Sequence, residues 1–177
     1  MNRILLYIHY NKFDEMSDHV LYQLEKIKPL FSRVILISNS HLEKNYMRKL
    51  EMIGITEIIQ RANIGFDFAA WRDGMEYVGF DHLKKYDSVT LMNDTCIGPL
   101  WSLEPYFRSF ESAIDCDFWG MTNFKKTKYF QEHVQSYFVS YSQAVVSSKV
   151  FQKFWMSIKN FENVRQVIDN YETKLTS

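Results

Sequence analysis

The 177-residue chain predicts an α/β fold with a mostly parallel central sheet flanked by helices, and three features carry that expectation. Short β-branched runs alternate with amphipathic segments of helical length. The runs are continuously apolar, as in strands covered on both faces. Several of them end in polar turns. Strands separated by helices imply parallel βαβ units with right-handed crossovers.

Each element has its own local justification. Ile4 to His9 is an apolar run of strand length. Asp14 to Pro29 follows, with Met16, Val20, Leu21, Leu24 and Ile27 at helical spacing and Asp14 as the expected N-cap. Arg33 to Ser38 reads as a second buried strand, and Leu42 to Ile53 as a helix closed by Gly54. Ile55 to Gln60 is a third strand. Asp67 to Val78 is helical, with an acid at its start and Gly79 past its end. Val89 to Met92 is the fourth strand, and Leu100 to Ile114 is a helix that carries Pro105 in its first turn or ahead of a restart. The second half breaks the alternation. Phe118-Trp119-Gly120 is a short strand and Val134 to Val146 is extended and aromatic-rich, so extra antiparallel strands are expected beside the first four. Helices over Ser148 to Ile158 and Val164 to Tyr171 complete the chain. No internal repeat or Pro/Gly-rich linker divides it, and residues 1–177 read as one domain.

Composition narrows the function classes. The chain is 46% hydrophobic and 24% charged, which is globular rather than disordered. Twenty-one basic residues balance twenty-one acidic ones, so no net field recommends nucleic acid as a partner. Two cysteines without metal-ligand spacing argue for a reducing, cytoplasmic setting. No stretch approaches the ~20 apolar residues of a membrane span.

The chemistry concentrates in two polar loops. Asn93-Asp94-Thr95 ends the fourth strand, and in open α/β sheets the carboxyl edge is where ligands bind. Its carboxylate, amide and hydroxyl are hard oxygen donors suited to Mg²⁺ or Mn²⁺ shared with a ligand's phosphates, although Asp94 would serve equally as a helix or turn cap. The loop Arg61 to Asp67 precedes a helix, and Gly65 permits close backbone approach to a phosphate. His9 and Asn11 after the first strand, and Asn39 after the second, reach the same edge. Arg72 is either a cation for this site or a partner of Asp67 or Asp73 within its own helix. Most of the aromatic cluster reads as core, with Trp119 and Tyr137 retained as stacking candidates.

Four motifs in order, Ala62-Asn63-Ile64-Gly65-Phe66-Asp67-Phe68-Ala69-Ala70-Trp71-Arg72, Leu91 to Pro99, Asp117 to Thr122 and His133 to Phe138, resemble the rhamnan synthesis F family. Its members are glycosyltransferases, or candidates for that role, in bacterial rhamnose-polysaccharide assembly. The resemblance implies a GT-A-like nucleotide-sugar-binding fold, with Asn93-Asp94-Thr95 where such enzymes carry Asp-x-Asp. One of the two acidic positions is kept here, at Asp94, the expected metal ligand. Asn63, Gly65 and Asp67 match the loop that touches the donor.

On that resemblance the chain is expected to transfer a sugar, rhamnose from dTDP-rhamnose, onto a cell-surface polysaccharide or lipid-linked glycan. The expected setting is cytoplasmic, at the inner face of the membrane as a peripheral protein. The reaction needs stabilisation of the departing diphosphate and a base for the acceptor hydroxyl. Asp117, His133 and Glu172 are the candidate bases, although His133 reads as readily as a structural histidine. Asn170 to Leu175 resembles family sequence that continues, so a truncated domain is expected. The alternative function is a catalytically silent donor-binding or docking domain of a polysaccharide-assembly complex. A phosphatase-type α/β fold is disfavoured, because no nucleophilic Asp follows the first strand in a suitable turn.

Overall fold

The computed structural model describes residues 1–175. Strand β1 (Arg3–His9) lies at the centre of a six-stranded sheet and pairs in parallel with β2 (Arg33–Ser38) on one side and β4 (Ser88–Asn93) on the other. Strand β3 (Glu57–Gln60) extends the sheet beyond β2, giving the order β3-β2-β1-β4-β8-β5. Strands β5 (Phe118–Gly120) and β8 (Phe138–Ser142) are the additions expected beside the first four: β8 runs antiparallel to β4, and β5 antiparallel to β8. A separate small ribbon pairs β6 (Asn123–Phe124) with β7 (His133–Val134).

Period-two alternation within a continuous apolar run explains how β1 serves both layers. Ile4, Leu6 and Ile8 face a core closed by α3 (Phe66–Val78), α7 (Lys149–Met156) and α8 (Val164–Asn170). Leu5 and Tyr7 face a second core, closed by α1 (Asp18–Ile27), α2 (Lys44–Met52) and α5 (Glu104–Glu111). Trp71 of α3 is wholly buried, and its indole N–H donates to the Leu6 carbonyl at 3.2 Å, pinning α3 to the middle of β1. Gly74, one turn on, permits that approach, since a Cβ there would lie 2.5 Å from Ile37 Cδ1.

Several elements differ from expectation for identifiable reasons. Helix α1 begins at Asp18, not Asp14. Asp14 adopts a left-handed φ of 60° and its carboxylate accepts the His41 N–H at 2.8 Å, tying the loop after β1 to the loop after β2. Helix α2 starts at Lys44 because the Leu42 N–H is taken by the Gln60 side chain. Helix α5 covers only the middle of Leu100 to Ile114, and 94–103 is a loop. The expected extended run over Val134 to Val146 divides into β7, β8 and the helical turn α6 (Gln143–Val146), capped by the Ser142 hydroxyl. The short helix α4 (Phe80–Leu83) has no counterpart among the expected elements.

Substituting Gly74→Val places a branched side chain against Ile37 and is predicted to cost about 2 kcal/mol, read as a lower urea midpoint at unchanged slope.

Candidate functional site

Topology picks the place. The chain winds outward from β1 through β2 to β3, then returns to lay β4 on the opposite flank of β1, so the strand order reverses between β1 and β4. A crevice opens at the carboxyl ends of strands at such a switch point. Ile8 pairs with Asn93, so the residues just beyond face each other across it. There the Tyr10 N–H donates to Asp94 Oδ2 at 3.0 Å.

Asn93 organises the crevice. It is buried; its Nδ2 donates to Asp67 Oδ2 at 2.8 Å, and its Oδ1 accepts the Thr95 N–H at 3.1 Å. One side chain thus joins the first turn of α3 to the turn after β4, and sets Asp94 at the edge. Burial pushes the Asp67 carboxyl up to about 6; the Asn93 hydrogen bond opposes the shift, and the charges of Asp94 and Glu172 add to it. Burial also raises Asp94, against the Tyr10 N–H and His9, which favour its charged form. His9 is buried between the Ser38 hydroxyl, 3.0 Å from Nδ1, and the Glu15 carbonyl, 3.1 Å from Nε2. Burial lowers its pKa, with Asp94 opposing. A carbonyl can only accept, so Nε2 carries a proton and donates to Glu15.

The loop into α3 is strained where it meets the site. Gly65 (φ 73°) and Phe66 (φ 52°) are both left-handed, and Gly65 donates its N–H to the Phe161 carbonyl at 2.9 Å. Strain of this kind persists only where the surroundings enforce it. A Cβ on Gly65 would lie 2.5 Å from Ala69 Cβ and 3.1 Å from Asn160 Cα, so this position is closely packed and takes only glycine. Asn63 lies in the same loop, half-buried.

The remaining candidates divide. Asn11 is at the edge, exchanging hydrogen bonds between its backbone and the Ser40 hydroxyl at 2.8 Å. Asn39 is buried; its Oδ1 accepts from Arg61 at 2.6 Å, while its Nδ2 has no partner among the described residues. Glu172 accepts the Ser136 hydroxyl at 2.9 Å and lies close enough to act on Asp67. Arg72 is committed elsewhere, to Asp73 at 2.6 Å, the Ile158 carbonyl at 2.7 Å and Asn160 at 3.0 Å, which is the within-helix role weighed from the sequence.

Two candidates are displaced from the crevice, and a third is held in a separate ribbon at the carboxyl edge. Asp117 precedes β5, which runs parallel to β4, so it sits at the opposite, amino edge of the sheet, where its carbonyl accepts the Ser142 N–H. Trp119 is buried against Phe107, Phe110 and Phe138 and offers no face to a sugar. His133 belongs to the β6–β7 ribbon, stacked on Phe124 at 5.1 Å and donating through Nδ1 to the Gln131 carbonyl. Among the described residues no three His, Cys, Asp or Glu side chains converge as a metal cage.

Two contributors escape a reading of the sequence. Arg61 bridges Asn39, Asp73 at 2.7 Å and the Ile64 carbonyl at 2.7 Å, fixing the loop into α3. Ser136 holds Glu172. Arg61 opens the polar loop ahead of Asn63, and that position is the available signal; Ser136 carries none.

The raised Asp67 value fixes a sign. Because the folded chain keeps that proton between about pH 4 and about pH 6 while the unfolded chain has released it, folding stability from this group falls as pH rises through that window. Asp67→Asn is therefore predicted to be more stable than the parent at pH 7.5 by on the order of 2 kcal/mol, the advantage vanishing near pH 4, as read by urea unfolding at both values.

Comparison with known proteins agrees with this architecture. Residues 34–177 match the family model described as Rhamnan synthesis protein F. The uncharacterized protein y4gN of Sinorhizobium fredii is 32% identical over 166 residues, covering 91% of this chain and 42% of that protein. Virulence protein VirA of Vibrio anguillarum is 29% identical over 120 residues, 66% of this chain and 36% of that protein. The chain thus spans less than half the length of these relatives. Among solved structures, glucosyl-3-phosphoglycerate synthase from Mycobacterium tuberculosis, in complex with uridine diphosphate, superposes with a TM-score of 0.50 over 81% of this chain and 58% of that one, at 11% identity. The shared fold is GT-A-like. With the family model spanning most of its length, the chain belongs to the Rhamnan synthesis protein F family.

Proposed function

We propose that this chain is the donor-binding, catalytic domain of a glycosyltransferase that moves rhamnose from dTDP-rhamnose onto a bacterial cell-surface polysaccharide or its lipid-linked precursor. The observation that carries the reading is the Asn93 bridge, which ties Asp94 at the switch point to the first turn of α3. The family's name supports the sugar, and the uridine diphosphate bound to the structural neighbour supports a nucleoside-diphosphate donor.

Each residue then has a task. His9 and Asn11 shape the first loop, and the buried Asn39, held through its Oδ1 by Arg61, braces the second. Asn63 stands just before the first turn of α3, where the helix dipole favours the diphosphate's negative charge, and Gly65, its N–H given to the Phe161 carbonyl, fixes that turn. Mg²⁺ or Mn²⁺, held by Asp94 together with the diphosphate, would neutralise the charge that builds on the leaving group. Glu172, oriented by Ser136, takes the acceptor proton as the acceptor oxygen bonds to the anomeric carbon and the bond to the diphosphate breaks. Asp67 and Asn93 hold the frame.

A second reading, a silent donor-binding module, is favoured by one feature: Asp94 is the single acid of its turn and one of its oxygens is already engaged by Tyr10.

Calorimetric titration with dTDP, UDP and GDP, each with and without Mn²⁺, tests the binding claim. Metal-assisted binding of dTDP that weakens at least tenfold in Asp94→Ala is expected; binding untouched by that change contradicts the site. Glu172→Gln separates the two readings. It should keep nucleotide affinity and lose about 10²–10⁴ in transfer rate if Glu172 is the base; a parent chain that binds dTDP without turning over any rhamnosyl donor identifies the silent module.

A further inference from the structure

We infer that the groove between α1 and the loop 94–103 is an acceptor subsite, set back from the crevice, that holds the already built part of a 6-deoxyhexose glycan; the inference rests on the transferase reading above. A lone exposed ring is ordinary on a protein surface, and what distinguishes Trp101 is its mounting. The indole is 63% exposed, yet its N–H donates to the Tyr106 hydroxyl at 3.2 Å, which holds the ring by one edge. Leu100 beside it is exposed as well. With Tyr22, Lys26, Leu30 and Ser102 they line a groove of about 270 Å³. The loop ties this groove to the crevice. It begins at Asp94 and is fastened along α1 at two points: the Cys96 carbonyl accepts from Gln23 Nε2 at 3.0 Å, and the Pro99 carbonyl accepts the Tyr22 hydroxyl at 3.3 Å. The stretch from Asp94 to Trp101 spans at most about 25 Å even when fully extended. A glycan lying in the groove therefore stays within a few sugar rings of the crevice.

The lining selects the sugar. The C–H face of a pyranose meets the negative face of an indole, and Trp101 supplies the indole. An ordinary hexose carries a hydroxymethyl group, which Leu30 and Leu100 would cover without offering a hydrogen bond, a costly burial. A 6-deoxyhexose such as rhamnose carries a methyl group at that position, and the leucines take it from water at a gain. Ring hydroxyls find partners among the other lining residues. The Lys26 ammonium lies over the Tyr22 ring at 5.5 Å and enters no ion pair among the described residues, and the Ser102 hydroxyl keeps its proton to donate. A short apolar floor with a few polar groups beside it is the build of a ligand cleft; a stable protein interface needs a far larger continuous area. Holding the glycan here needs neither Asp94 nor Glu172.

Calorimetric titration of the chain, without nucleotide, with a rhamnose hexasaccharide, with rhamnose and with maltohexaose tests the groove. The hexasaccharide is expected to bind, and maltohexaose and the monosaccharide roughly tenfold more weakly or worse. Trp101→Ala and Leu100→Ser should each weaken the hexasaccharide roughly tenfold. Both side chains are exposed, so dTDP affinity and the urea midpoint should stay where they are. Trp71, Trp119 and Trp155 are buried, which makes Trp101 the exposed one of four and its emission a direct report of hexasaccharide binding. No binding, binding that survives both substitutions, or equal affinity for maltohexaose would each overturn the inference. So would a dimer in light scattering that Trp101→Ala dissolves, since it would assign the groove to a second copy of the chain. A chain that binds dTDP but no hexasaccharide loses the groove alone. One that binds the hexasaccharide through Trp101 but no nucleotide keeps the groove as a glycan site and contradicts the transferase reading.

Discussion

Everything in this molecule is arranged around a strand that no solvent reaches. Residues 4–9 of β1 are buried on both faces and hydrogen-bonded on both flanks, so this strand sets the register of β2 and β4 and gives both helical layers their footing. Burying such a run requires that every backbone donor and acceptor be paired. The parallel ladders to β2 and β4 do that, and Trp71 adds a bond to the Leu6 carbonyl from above. Because β1 is central and the chain departs from it in two directions, the reversal of strand order, and with it the crevice, is a direct consequence.

The polar residues at the crevice are stabilised as a set. Asn93 joins the α3 turn to the β4 turn through its two hydrogen bonds, and it does so from a buried position where an unpaired amide would be costly. Its neighbours are acidic, and Asp67 responds by holding its proton to unusually high pH. A cluster of carboxylates poised to repel one another is an unfavourable element of the fold that a cation, a proton or a sugar hydroxyl would relieve. That pattern is common where a protein must bind a ligand as well as fold.

Much of this is legible in the chain. The first four strands and α3 follow from continuous β-branched runs and from Gly79, and Asp67, Asn93 and Asp94 stand out because each sits at the end of a recognisable element. The failures share a cause. Asp117 and Trp119 are drawn toward the site by proximity to a family motif, but the antiparallel β8 between β4 and β5 fixes the direction of β5, and local pattern does not reveal which edge or face a three-residue strand presents. Asp14 reads as a cap because it precedes a helical period; a long-range bond to the loop after β2 outweighs the local preference. Arg72 shows the limit differently: both of its rival roles are visible in the sequence, and only the packing of residues 157–161 against α3 decides between them.

The most direct test of this site is a map of where the donor binds. Backbone amide resonances of the isotopically labelled chain would be followed during titration with dTDP-rhamnose. Binding at the switch point predicts shifts centred on Tyr10, Asn39, Asn63 to Asp67 and Asp94-Thr95. The opposite edge of the sheet has its own cavity, lined by Asp87, Ser88, Glu111, Cys116 and Asp117. Shifts confined there, with the crevice residues unmoved, would contradict the placement of the site and the proposed function built on it.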